Sequence, residues 1–292
     1  MTWRIWGILL LAVALGAQAM AATDAGDEVS VEEAGSVPQE AAGAKSAGPI
    51  QDNSLLVEEA YNQEFGVVQH ISALTRFAGN NWAYTFTQEW PVPGIKHQLS
   101  YTLARQNNGR GEGWGDALIN YRYQLIGTGE TRVAVAPRVS LVLPAGDYRR
   151  SLSGGSTGVQ YQIPASVVVS KKLVTHWNVG GTYLPNARNA AGDKAFTKSY
   201  NLGQSFIWLA TERVNLMLES IFTGNEDILG RDRVRRTYSA YVSPGIRWAH
   251  NFKSGLQIVP GVGVPQGVGS SAGQHGVILY LSFEHPFRRR NE

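Results

Sequence analysis

From Val67 onward the chain alternates apolar and polar side chains in about twelve short runs, and no interval carries a 3.6-residue apolar period. The last run, Gly276 to Phe287, sets the pattern. Val277, Leu279, Leu281, Phe283 and Phe287 point one way, and Ile278, Tyr280, Ser282 and Glu284 point the other. The runs lie near 66–77, 81–91, 97–105, 114–126, 131–143, 157–170, 173–184, 197–210, 213–223, 235–249, 255–263 and 275–287. An all-β fold is required. Two architectures accept such strands, a soluble β-sandwich and a transmembrane barrel of even strand number, and the connections must choose between them.

Five connections are short: Val92 to Ile95, Gly127 to Glu130, Lys171-Lys172, Thr211-Glu212 and Asn251 to Ser254. The alternate ones are mostly long and polar, at Gln106 to Gly113, Pro144 to Ser156, Pro185 to Phe196, Gly224 to Val234 and Val264 to Gln274, with only Ala78 to Asn80 brief. Outer-membrane barrels have short turns on the periplasmic side and longer loops outside. Aromatic residues agree. Trp82 and Trp90 share a face, as do Tyr200 and Trp208, and Tyr238 and Trp248. At about 3.3 Å per residue and tilted as barrel strands are, such pairs span roughly the 25 Å between two aromatic girdles. The sequence therefore predicts a transmembrane up-and-down antiparallel β-barrel of about 12 strands, spanning residues 55–287, with periplasmic N- and C-termini.

Charged residues are only 17% of the chain and cysteine is absent, which excludes disulfides, thiolate metal sites and attachment of lipid to an N-terminal cysteine. Residues 1–21 read as a secretory signal peptide, with Arg4, an apolar core from Ile8 to Leu15, and Ala17-Gln18-Ala19 at the cleavage site. That run is shorter than the roughly 20 apolar residues of a helical span. Residues 22–54 are rich in Ala, Gly, Glu and Ser, and predict a disordered periplasmic linker. Leu55 to Tyr61 (LLVEEAY) is the first segment able to pack, as a short turn or helix under or inside the barrel mouth. Residues 288–292 form a predicted periplasmic tail.

At Leu55 to Ile71 (LLVEEAYNQEFGVVQHI) and at Leu141 to Asp147 (LVLPAGD) the chain resembles the outer-membrane family named for the MetA pathway of phenol degradation. The likeness extends from about Leu55 to Phe287. It implies an outer-membrane barrel that passes small molecules, with aromatic or hydrophobic compounds as the suggested solutes. It supplies no catalytic residue. The chain departs from the usual barrel end by continuing past Phe287 as RRRNE.

If the aromatic faces meet lipid, parity turns the other faces inward. Strand one then presents His70, Ser72 and Arg76 to the lumen. The expected lumen-lining candidates are Arg122, Arg138, Arg247, Glu89, Glu219, Glu284, His70 and Tyr241. Energetics require this placement of charge, because Arg or Lys on the lipid face near the midplane costs about 2–4 kcal/mol. Two readings of the interior stay open. The arginines line a polar path, or they pair with Glu89, Glu219 and Glu284 to satisfy buried charge in a narrow barrel.

Other chemistry finds little support. Gly154 to Gly158 matches G-x-S-x-G as text but lacks the strand-turn-helix context of a nucleophile elbow. The six histidines are dispersed, without metal-ligand spacing. Gly109 to Gly115 is glycine-rich but precedes a strand rather than a phosphate-cradling helix. No basic stripe interleaved with aromatics points to nucleic acid. Gly224 to Arg236 (GNEDILGRDRVRR) reads as a solvated loop or a contact for lipopolysaccharide phosphates. The expectation is a passive channel or facilitator without cofactor or metal. Its partners would be outer-membrane lipid and lipopolysaccharide, a small-molecule solute and the barrel-assembly machinery. The alternatives are a structural or adhesive barrel with a plugged lumen and an outer-membrane hydrolase, the latter lacking a nucleophile, base and orienting group that the sequence brings together.

Overall fold

The computed structural model describes residues 50–252 and 256–286. The expected signal peptide, the expected linker up to residue 49, Phe287 and the expected tail 288–292 lie outside them. Twelve staves form one antiparallel sheet: β1 (Val67–Phe77), β2 (Trp82–Trp90), β3 (His97–Asn107), β4 (Ala117–Tyr123), β5 (Arg138–Leu143), β6 (Gly158–Ser170), β7 (Leu173–Arg188), β8 (Lys194–Thr211), β9 (Val214–Gly230), β10 (Arg233–Trp248), β11 (Gln257–Gly263) and β12 (Gly276–Pro286). Each pairs with its neighbours in chain order. Closure is made by β12 on β1, from Val67↔Pro286 to Phe77↔Gly276. The seam between β10 and β11 is short, joining Gly245–Arg247 to Gly261–Gly263.

The pairing of β12 with β1 closes the sheet, and the side chains then divide between two environments. Outside lies an apolar band that includes Ile119, Leu141, Val159, Ile163, Leu202, Phe206, Leu218, Leu279 and Leu281, all exposed. Trp114, Tyr183, Phe196, Tyr200 and Tyr238 border it toward one rim, and Trp177, Trp208 and Trp248 toward the other. Polar side chains such as Asn120, Ser140, Asn178, Ser205 and Ser243 are buried inside. An apolar skin between aromatic girdles around a polar interior is the design of a transmembrane barrel.

Two expected loops are mostly strand. Pro185 to Phe196 and Gly224 to Val234 continue the ladders of β7–β8 and β9–β10 upward, so β8 runs to 18 residues and β9 to 17. Across β9–β10, Glu226 faces Arg236 and Asp227 faces Arg235, with ion-pair distances of 3.4 and 3.3 Å. The mixed charges that suggested a solvated loop form cross-strand pairs around a turn at Arg231-Asp232. Conversely, the connection expected at Gly127 to Glu130 is longer, because Ala136-Pro137 separates the short strand Val133–Val135 from β5.

Candidate channel lumen

Residues 50–66 run inside the barrel at its short-turn end. The Ile50 amide donates to Glu212 O at 2.9 Å, in the β8–β9 turn, and the Val67 amide enters β1 after donating to Glu64 O at 3.1 Å. The expected linker therefore ends earlier than residue 54, since Asn53 and Ser54 are buried in the lumen. The segment is neither helix nor strand. Its backbone groups must still be satisfied, and the side chains of the wall take the place of a neighbouring strand.

Glu219 of β9 is the densest of these contacts. Fully buried, its carboxylate accepts three successive amides, from Leu55 at 3.3 Å, Leu56 at 2.9 Å and Val57 at 3.1 Å. Asn178 of β7 bonds both backbone groups of Glu58, accepting from its amide at 2.7 Å and donating to its carbonyl at 2.7 Å. Arg247 of β10 donates to Asn53 O at 2.6 Å and lies 5.0 Å from the Tyr280 ring centroid. Further along, Ser166 accepts the Ala60 amide at 2.9 Å, Gln124 the Asn62 amide at 3.0 Å, and Gln98 the Gln63 amide at 2.8 Å.

One acidic side chain of the segment meets the two arginines of β4 and β5. Glu58 accepts Arg138 Nε at 2.9 and 3.1 Å and Arg138 Nη2 at 3.0 Å, and it also pairs with Arg122 Nη2. Arg122 reaches Tyr61 O as well, at 2.8 Å. Burial alone would raise the Glu58 carboxyl, but the Arg138 and Arg122 guanidiniums outweigh it and hold the group down at about 2. The phenol of Tyr61 is pushed upward by burial and by Asp52, whose carboxylate accepts its hydroxyl at 3.2 Å.

Apolar packing completes the fit. Leu55 sits in a cluster with Ile207, Met217, Ile278 and Tyr280, flanked by Leu56, Ile71 and Ala73. Inward-facing glycines make room for it: a Cβ on Gly263 would stand 2.8 Å from the Leu55 side chain, and one on Gly245 3.0 Å.

Of the eight lumen candidates, seven face inward. Arg122, Arg138, Arg247 and Glu219 hold the segment as described. Glu89 accepts Gln98 Nε2 at 2.7 Å and Glu284 accepts Gln69 Nε2 at 3.0 Å. Tyr241 lies toward the long-loop end, bonding Gln274 through its hydroxyl with its ring 5.6 Å from Phe77. His70 is a correction. It points outward, stacked on Phe283 at 4.6 Å and on His285 at 4.9 Å, while its neighbour Gln69 turns in. Ser72 and Arg76 turn outward with it. The β1 phase inverts because Ile71 and Ala73 line the lumen where Leu55 and Leu56 cover them. Arg132 and Arg213, which the same parity would turn inward, lie in turns beyond the strands and are exposed.

The arginines do not pair with wall carboxylates among the described ion pairs; Arg122 and Arg138 take Glu58 instead. Sequence parity had no means of including Glu58, which lies outside any strand. The signal available was LLVEEAY itself, whose acidic pair sits in an otherwise apolar run.

A serine, a histidine and an aspartate do come together in space. Ser166 Oγ lies 2.7 Å from His176 Nδ1, and His176 Nε2 lies 2.9 Å from Asp52 O and 3.9 Å from its carboxylate. The set resembles a nucleophilic triad in composition. Yet the Ser166 oxygen is already occupied by the Ala60 amide, and both Ser166 and His176 are buried under the segment. The chain of bonds clamps residues 52–60 to β6 and β7. At the opposite rim, Ser156 of the G-x-S-x-G text donates to Thr157 O and accepts the Asn186 amide, which makes it a loop brace. Among the described residues no cluster of His, Asp or Glu can hold a metal ion.

No family model and no curated protein matches the chain. Solved structures do resemble it. The NanC porin aligns at a TM-score of 0.51 with 8% identity, over 74% of this chain and 98% of that one. The KdgM porin gives 0.48 with 9% identity over 74% and 98%, and the CymD monoaromatic hydrocarbon channel 0.43 with 11% over 85% and 99%. At such identities the likeness is one of fold, that of an outer-membrane barrel.

Proposed function

We propose that the chain is an outer-membrane channel for small molecules, with residues 50–66 as a removable closure of its short-turn end. One observation carries the reading: the wall beneath the segment bonds it through polar side chains aimed at its backbone, such as Glu219, Asn178, Ser166 and Gln98. Water can replace each of those bonds once the segment leaves. A barrel built only to be filled would close its interior with wall-to-wall packing, as eight-stranded barrels do. Similarity of fold to the NanC porin supports the same reading. The resemblance to the phenol-degradation family points to aromatic or hydrophobic solutes. By the same reading the short-turn end and the entry of residue 50 face the periplasm, the assembly machinery reads β12, and lipid and lipopolysaccharide surround the skin.

The second reading, a permanently plugged structural barrel, draws on the closeness of that fit. Planar-bilayer recording separates the two. The channel reading expects discrete openings in the full chain that grow frequent when residues 50–66 are removed. Silence in both, from protein shown to be folded, defeats it.

A further inference from the structure

We infer that Arg122 and Arg138 form a binding site for the carboxylate of a transported solute, and that Glu58 occupies this site as the chain's own stand-in. The inference rests on the channel reading and names the solute class for it.

Three observations meet at this point. Neighbouring staves present two guanidiniums directly across from each other, since Arg122 of β4 is the register partner of Arg138 of β5. Arg122 is 3% exposed and Arg138 14%. Such a pair is strongly unfavourable unless an anion joins it, so the wall is made for one. Second, the anion present is a carboxylate held in two-pronged fashion by Arg138, the geometry in which the guanidinium fork is most selective. Third, Glu58 leaves the site partly unused. Arg122 Nε is buried without a hydrogen-bond partner.

Glu58 is tied to the wall through its backbone by two hydrogen bonds with Asn178, which solvent can replace. When it withdraws, Glu58 and the adjacent Glu59 depart together. Among the described residues the wall then keeps Arg122 and Arg138 with Glu89 of β2 beside them, two cations to one carboxylate, and so gains an unmatched positive charge. A carboxylate entering from solution restores the balance that Glu58 supplied. Solute entry and closure therefore compete for one set of donors. The exchange makes no covalent bond and moves no proton: one carboxylate replaces another.

The test uses the full chain in detergent micelles and in planar bilayers, with benzoate as probe, benzyl alcohol as its neutral counterpart and chloride as a simple anion. Isothermal titration of Glu58→Gln is expected to give benzoate binding at least tenfold tighter than wild type, with no binding of benzyl alcohol. Arg138→Lys keeps the charge and loses the fork, and in the Glu58→Gln background it should weaken benzoate by about tenfold. In bilayers, benzoate should raise the open probability of wild type where equal chloride does not. Circular dichroism and heat-modifiable migration establish that each variant is folded. Folded Glu58→Gln that conducts but takes up no benzoate overturns this inference and leaves the channel intact. Benzoate binding without current in any variant upholds the site and removes the channel.

Discussion

Arg138 holds the carboxylate of Glu58 across the lumen by three contacts of 2.9 to 3.1 Å, joining β5 to a segment that lies 80 residues earlier in the chain. Opposing it, Glu219 collects three amides of the same segment. A wall cation thus takes a carboxylate of the segment, and a wall carboxylate takes three of its backbone donors. Closure depends on this reciprocity.

Removing one partner of a buried ion pair leaves the other uncompensated, at a cost of about 3–5 kcal/mol. Glu58→Ala is therefore expected to destabilise the closed arrangement far more than the barrel, which keeps its backbone ladder. Single-channel recording should find the variant open most of the time. A variant as quiet as wild type contradicts the role of Glu58.

Replacing Glu219 by Gln exchanges a two-oxygen acceptor for one oxygen and a donor facing three amides. Leaving a buried donor unsatisfied costs about 1–3 kcal/mol. Hydrogen exchange read by mass spectrometry should show the Leu55–Val57 amides exchanging at least fivefold faster while β-strand amides in β8 and β9 stay protected. Equal protection in variant and wild type argues against the carboxylate as anchor.

Acid should release the segment. The Glu58 carboxyl ordinarily titrates at 4.5 and is held at about 2 when closed. A depressed value means that its contribution to closure is complete above 4.5 and is lost as pH falls toward 2. Open probability should accordingly rise below pH 4.5 in wild type. Glu58→Gln should lack that component. A wild-type response with the same midpoint in Glu58→Gln assigns the titration to another group.

The twelve staves, their approximate bounds and the apolar skin were legible because alternation of side chains is local: Leu279 and Leu281 against Tyr280 and Ser282 need no knowledge of the rest of the fold. The inward arginines were legible for the same reason. What escaped depends on long-range fit. In β1, polarity gave the wrong phase, since Ile71 faces a lumen made locally apolar by Leu55 rather than a wet one. Ladder extension in β8, β9 and β10 escaped because polar, charged residues such as Glu226 and Arg236 look like loop until they are seen opposite one another. The clustering of Ser166, His176 and Asp52 likewise requires the inlying segment to be placed first.

That cluster carries its own prediction. As a clamp, Ser166 should not react with a fluorophosphonate probe, and Ser166→Ala should speed exchange of the Ala60 amide without altering ester hydrolysis. Covalent labelling of Ser166 contradicts the clamp and reopens a hydrolytic reading.

Lipid contact is tested at Leu279, which is 51% exposed on the outer face of β12. Leu279→Arg should cost about 2–4 kcal/mol of stability in lipid vesicles, measured by denaturant unfolding. A cost below about 0.5 kcal/mol, as for ordinary surface positions, would remove Leu279 from the bilayer.

The central claim is that movement of residues 50–66 opens and shuts the lumen. Ser54 and Ser205 face each other with hydroxyls 2.8 Å apart, and the chain has no cysteine to interfere. Ser54→Cys and Ser205→Cys, introduced together with Glu58→Ala, tether the segment to β8 through a disulfide. Bilayer current should be absent while the disulfide is intact and appear when a reductant breaks it. Equal current in the oxidised and reduced protein would contradict the account.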